Sequence, residues 1–138
     1  MATFHPYLFF GGTCREAFTR YQEIFGGELF VMTMSDVPDE EPPAGMEDVV
    51  IHAAITGGDL LLMGSDEMTG AEFGPVQGMQ VAVQCGDVPE ANRVFTALSE
   101  GGTVEQELVA TFFSPAFGMV KDRFGTPWMI TTDQPDAA

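Results

Sequence analysis

Two stretches decide the fold: FFGGTCREAFTRYQEIFGGELF at residues 9–30 and VQCGDVPEANRVFTALSEGGTV at residues 83–104. They start 74 residues apart (83 − 9) and share one layout. Each runs an apolar strand into a capping box, an amphipathic helix, a Gly-Gly stop and a new strand. The boxes are Thr13-x-x-Glu16 and Asp87-x-x-Glu90, a pattern in which two side chains satisfy free amides at a helix start. Ala17, Tyr21 and Ile24 take the helix positions that Ala91, Phe95 and Leu98 take in the second copy. The stops, Gly26-Gly27 and Gly101-Gly102, lie 75 apart, which predicts a second helix one residue longer. Two copies in 138 residues indicate a duplicated supersecondary unit, since a solenoid needs three or more repeats.

Working outward, periodicity predicts β-α-β-β-β twice in an α+β chain. The first copy reads as a strand near 3–10, a helix near 14–25, and strands near 28–34, 48–56 and 59–64. The second reads as a strand near 78–85, a helix near 88–100, and strands near 103–110, 116–122 and 127–132. We expect one domain over 1–138, with modules at 1–66 and 77–133, a polar connector at 65–77 and a frayed tail from Asp133. Gly57-Gly58 reads as a two-residue hairpin loop, pairing Ile55 with Leu60, Ala53 with Leu62 and His52 with Met63. Both faces of these strands are apolar. One meets a helix, so the other needs a ligand pocket, a subunit contact or both.

Composition excludes several classes. With 45% apolar residues and 12 Phe the chain can fill a core. No apolar run approaches the roughly 18–20 residues that cross a bilayer, and no basic leader precedes the first apolar stretch, so a soluble cytoplasmic protein is expected. Two cysteines, Cys14 and Cys85, are too few for a disulfide framework and fit a reducing compartment. There are 21 acids against 5 bases, a formal charge of −16, which argues against binding nucleic acid through its phosphates. The six acids between Asp36 and Asp48 read as a solvated loop. No G-x-G-x-x-G, P-loop or G-x-S-x-G motif occurs.

PYLFF, CREAF, YQEIFGGE, AITGGDLLLMGSD and FGMVKDRFGTPWMI together resemble the PhnB-like branch of the vicinal oxygen chelate superfamily. That superfamily includes glyoxalase I, extradiol dioxygenases, and fosfomycin and bleomycin resistance proteins. The turn Asp122-Arg-Phe-Gly-Thr-Pro-Trp128 is the most specific element. The resemblance implies paired βαβββ modules with mixed sheets curled around a cavity, usually in a homodimer. Some such proteins are labelled ubiquinone-pathway methyltransferases, but nothing here reads as a nucleotide-methionine site.

In metal-using members, the ligand positions carried over by resemblance are His5, Leu62, Met79 or Gln80, and Met129. Leucine has no donor atom, glutamine is a poor ligand, and a hard cation has little use for a thioether. A zinc site needs at least three good protein ligands and this set supplies one, so no metal and no cofactor is expected. The pocket candidates are therefore His5, Tyr7, Leu62, Gln80, Phe112, Trp128 and Met129. His5, Tyr7 and Phe9 alternate onto the expected cavity face. His52, opposite Leu62 by the hairpin arithmetic, reads as structural. Cys14 sits where a helix dipole lowers a thiol pKa, but no histidine lies at a fixed helical spacing from it, so it reads as a packing or idle thiol. Arg123 and Lys121, rare bases here, read as partners in a turn salt bridge with Asp122 or a neighbour, with pairing of an anionic ligand as the alternative.

Three functions follow as alternatives. The first is a homodimer binding a small, partly apolar molecule without the usual metal site. The second is a metal-dependent lyase or dioxygenase with rearranged ligands, and the third an inert structural dimer.

Overall fold

A computed structural model describes residues 2–38, 41–67 and 76–132. The chain divides into two compact units, Met1–Gly74 and Pro75–Ala138. The predicted tail from Asp133 and most of the predicted connector lie outside the described residues.

The first unit holds β1 (Tyr7–Phe10), α1 (Cys14–Phe25), β2 (Glu28–Thr33), β3 (Val50–Gly57) and β4 (Leu60–Asp66), with a short 3-10 turn at Met34–Asp36. Its sheet runs β1-β4-β3-β2, with β1 and β4 parallel and the other neighbours antiparallel. The second unit repeats the plan with β5 (Val81–Cys85), α2 (Val88–Ser99), β6 (Thr103–Val109), β7 (Phe117–Lys121) and β8 (Pro127–Thr132), in the order β5-β8-β7-β6. The two βαβββ modules of an α+β fold are therefore present. Strand β1 is shorter than expected and leaves His5 outside it. Strand β4 continues through Ser65 and Asp66, both buried, where a connector was expected.

Each helix packs its apolar stripe on one sheet face. In the first unit Ala17, Phe18, Tyr21 and Ile24 are buried with Leu8, Phe10, Ala53 and Ile55. A Cβ at Gly64 would stand 2.7 Å from the Phe18 ring, so the missing side chain is what admits that ring. Gly118 does the same for Phe95, where the approach would be 2.8 Å. Those two contacts fix which face of each sheet looks at its helix. Leu62, Gly64 and Ile55 share a face with α1; Trp128, Val120 and Ile130 share one with α2.

The helix termini correct two expectations. Asp87 caps α2 as predicted, accepting from the Glu90 amide at 2.8 Å, while Glu90 accepts from the Gly86 amide at 2.9 Å. Thr13 makes no side-chain cap. The Cys14 amide instead donates to Asp66 Oδ1 at 3.0 Å, and Asp66 Oδ2 accepts from the Val50 amide at 3.0 Å. A buried carboxylate from β4 thus ties the start of the helix to the start of β3, where the positive end of the helix favours it. Both helices have 12 residues, so the second is not longer. The extra residue before the second stop is Glu100, an extended C-cap with φ −62° and ψ 119°; α1 ends on Gly26 at φ 78°.

The second buried carboxylate organises the most specific turn. Asp122 Oδ1 accepts from the amides of Phe124 and Thr126 at 2.9 and 3.0 Å, and Oδ2 accepts from Trp128 Nε1 at 2.8 Å. Removing the carboxylate leaves three donors to find other partners, two of them on Thr126 and Trp128, which are buried. Asp122→Ala is expected to lower unfolding free energy by at least about 3 kcal/mol in urea titrations. Asp48→Ala, on an exposed loop, should change it by less than about 0.5 kcal/mol. Equal effects from the two variants would refute this role for Asp122.

The free thiols of Cys14 and Cys85 are buried. Burial first, and then the Asp66 charge, pushes the Cys14 thiol up to about 12, against the lowering expected from its helix position. Burial, then Glu90, pushes Cys85 up to about 11. The folded chain therefore keeps thiol protons that the unfolded chain releases above about pH 8.5. Stability from this source is complete below that pH and is lost as pH rises toward the folded values. We expect iodoacetamide at neutral pH to spare both thiols until the protein unfolds. The urea midpoint should fall between neutral pH and pH ~10, and Cys14→Ala/Cys85→Ala should flatten that fall. A decline unchanged in the double variant would assign it to other groups.

Candidate functional site

The face of the first sheet turned away from α1 carries the candidate site. Register places Tyr7 beside Met63, Met63 beside Ala54 and Ala54 beside Phe30, giving one row across all four strands. The neighbouring row pairs Phe9 with Ser65 on one side and Met32 with His52 on the other. Tyr7, Phe9 and Phe30 are 37%, 52% and 52% exposed, an unusual load of open aromatic surface on a single sheet face.

The rings form a chain. Tyr7 lies 5.2 Å from Phe9 and 5.7 Å from His52, and His52 lies 6.4 Å from Phe30, centroid to centroid. Within that apolar surround the Tyr7 hydroxyl and His52 Nδ1 are hydrogen-bonded at 3.2 Å. The tautomer of His52 decides which group donates. With the proton on Nε2, the hydroxyl donates to Nδ1 and an Nε2–H remains for a ligand. With the proton on Nδ1, the ring donates and the tyrosine O–H remains. Either state leaves one donor and one acceptor facing outward.

The remaining candidates separate. His5 precedes β1, is exposed, and places Nε2 3.0 Å from Thr3 Oγ1. Leu62 pairs with Ile55 and faces α1, so it does not share the Tyr7 face. The hairpin loop is Gly58-Asp59, because Gly57 pairs with Leu60 and Ile55 with Leu62; the expected pairing was two residues off. A shift of two preserves face, so His52 does lie opposite Leu62, but it is His52 that joins Tyr7. Trp128 is 2% exposed, held by Asp122 and turned toward α2. Met129 pairs with Met119 and Ala82 on the open face of the second sheet. Phe112 is 94% exposed in the β6–β7 loop, packed edge-on against Phe113 at 5.2 Å. Gln80 precedes β5 and is half-buried. Lys121 forms no ion pair with Asp122 among the described residues.

The residues present do not fit the superfamily's metal. Met129 has its repeat counterpart in Met63, since each lies opposite the position after the helix-facing residue of its parallel partner strand (Tyr7 with Met63, Ala82 with Met129). Strand pairing thus makes Met63, the neighbour of Leu62, the repeat counterpart of Met129, and the positions to weigh are His5, Leu62 or Met63, Met79 or Gln80, and Met129. Aliphatic, thioether and amide side chains with one imidazole are a poor set for a hard divalent ion. Among the described residues no three His, Cys, Asp or Glu side chains gather in one place.

Comparison with known proteins agrees with this architecture. The family model described as 3-demethylubiquinone-9 3-methyltransferase matches residues 2–131. Protein YjdN of Escherichia coli K12 is 33% identical over 137 residues, covering 91% of each chain. The crystal structure of PA1353 from Pseudomonas aeruginosa superposes with a TM-score of 0.88 at 38% identity, over 97% of this chain and 99% of that one. A PhnB protein of Bacillus cereus does so with a TM-score of 0.75 at 27% identity, over 95% and 99%. A glyoxalase/bleomycin resistance protein of Albidiferax ferrireducens and a fosfomycin resistance protein of Listeria monocytogenes, both more distant in sequence, share the fold. With its duplicated modules, the chain belongs to the 3-demethylubiquinone-9 3-methyltransferase family as a PhnB-like member of the vicinal oxygen chelate superfamily.

Proposed function

We propose that this protein binds a small, partly apolar molecule on the open face of its first sheet, without the metal centre usual in the superfamily. The observation that supports the reading is the Tyr7–His52 hydrogen bond at 3.2 Å, set among Phe9, Phe30, Met32 and Met63. Apolar area holds such a ligand, at about 2.5 kcal/mol per 100 Å² removed from water. The tyrosine–histidine pair then orients it, because one donor and one acceptor select a ligand carrying a carbonyl or hydroxyl oxygen. The same reading takes the protein as a cytoplasmic homodimer. Free buried thiols fit a reducing compartment, and exposed aromatics such as Phe112 fit a subunit contact. A methyl transfer, which the family's name describes, has no support in the sequence motifs.

A second reading keeps a metal-dependent lyase or dioxygenase with rearranged ligands. It is favoured by His52, an imidazole on the open face that the family positions do not include. The two readings differ in metal content. In the first, protein dialysed free of added metal carries no stoichiometric zinc, nickel, iron or manganese by elemental analysis. One metal ion per subunit would overturn it.

Thermal-shift screening with small carbonyl, phosphonate and aromatic compounds should find a saturable ligand, stabilising by about 2.7 kcal/mol at 100 times its dissociation constant. Tyr7→Phe and His52→Ala should each weaken that ligand about tenfold, the value of one hydrogen bond near 1.4 kcal/mol, while leaving the unliganded melting temperature nearly unchanged. Retention of full affinity in both variants would move the site elsewhere. A screen without any stabilising compound would favour an inert structural dimer.

A further inference from the structure

The second unit contains a pocket of about 510 Å³, bounded by residues 76–80 ahead of β5, by Glu105 of β6, by Lys121 at the end of β7 and by Pro127 at the start of β8. Its size falls within the range of small-molecule sites. Its residues are separate from Tyr7 and His52.

Lys121 is the chain's single lysine, in a protein with formal charge −16. Acids are abundant, yet Lys121 is half-buried on the pocket wall without an ion pair among the described residues. Strand geometry gives the local reason. Adjacent residues point to opposite faces, so Asp122 turns inward to the Phe124, Thr126 and Trp128 donors and leaves Lys121 outside. Glu105 lines the same concavity and is likewise without an ion pair among the described residues. Opposite charges therefore face one space and do not meet across it. Gln77 and Gln80 add side-chain amides, which both donate and accept, and Met79 and Pro127 add apolar wall.

We propose that this pocket binds a small zwitterion of the α-amino-acid class. Lys121 receives the carboxylate, Glu105 the ammonium, and Met79 with Pro127 the side chain. A net-neutral ligand also suits the whole molecule, because a field of many negative charges opposes the approach of a free anion. A cation alone would leave Lys121 unmatched, and an anion alone would leave Glu105 so.

The test uses the full chain, ¹⁵N-labelled, with three probes: L-leucine, N-acetyl-L-leucine, whose ammonium is masked, and L-leucine methyl ester, whose carboxylate is masked. Millimolar L-leucine should give saturable shifts at the amides of Gly78, Glu105 and Lys121, and each masked form should bind at least tenfold more weakly. Lys121→Met and Glu105→Gln should each weaken L-leucine at least tenfold without lowering the melting temperature. Equal binding of the N-acetyl form would overturn the proposal in favour of a plain anion site. Equal binding of the ester, absence of shifts with L-leucine, or full affinity in both variants would overturn it outright.

Discussion

Each module gives one helix to a sheet that has two faces, and that imbalance governs the rest of the chain. On the helix side the demand is for close packing. It is met by glycines at positions 64 and 118, which let Phe18 and Phe95 approach the strands, and by Tyr21, Trp128 and Ile130 closing the layer. On the other side the sequence remains apolar without a helix to cover it. Phe9 and Phe30 are about half exposed there, and the polar groups are few and specifically placed. A sheet face meant only for water would carry alternating charged residues. The open face of the first sheet instead carries aromatic and thioether side chains around a single tyrosine–histidine pair.

Two buried carboxylates tie this arrangement together at its strand ends. Asp66 and Asp122 each sit where a strand meets another element, and each spends both oxygens on donors from separate segments. They act differently despite the repeat. Asp66 joins the helix start to β3, whereas Asp122 closes the turn into β8 and fixes the Trp128 ring. The second module has Thr132 opposite Cys85 where the first has Asp66 opposite Phe10. There Ser114 carries the tie: its Oγ donates toward Thr132 O at 3.0 Å and accepts from the Thr132 amide at 3.2 Å. The duplicated scaffold is thus held at its strand ends by different chemistry in its two halves.

The fold was legible because its signals are local and occur twice. Helix periodicity, the Gly-Gly stops and the Asp87 cap all lie within a few residues of what they control. The features that local signals did not foresee depended on tertiary partners. Thr13 makes no side-chain cap, and the tie at that helix start comes from a carboxylate 52 residues away on the Cys14 amide; the Cys14 thiol is set by burial and by Asp66, neither of which is local in sequence. Site residues were harder still. Family positions placed on the sequence put Leu62 on the open face, but β-strand parity tolerates no single-residue error. Aligning the two copies by their parallel pairs makes Met63 the counterpart of Met129, on the face that also carries His52. That signal was present in the repeat, although it can be used only once the strand that pairs with β1 is known.

The revised positions also explain why scaffold and chemistry can part company. A metal centre needs a few donors of the right kind, and replacing two acids with methionine removes the affinity without disturbing a strand, since methionine fills similar space. The strand order, the helix-side glycines and the carboxylate ties involve none of those positions. Where the resemblance implies acids, this chain has apolar, adaptable side chains and no fixed charge. A ligand bound on such a face, as proposed, would meet hydrogen-bonding groups and apolar area. Tyr7 and His52 supply the first, and the surrounding rings supply the second. Under the proposed reading, a face of that kind would select ligands by shape and by one well-placed oxygen, not by their ability to chelate.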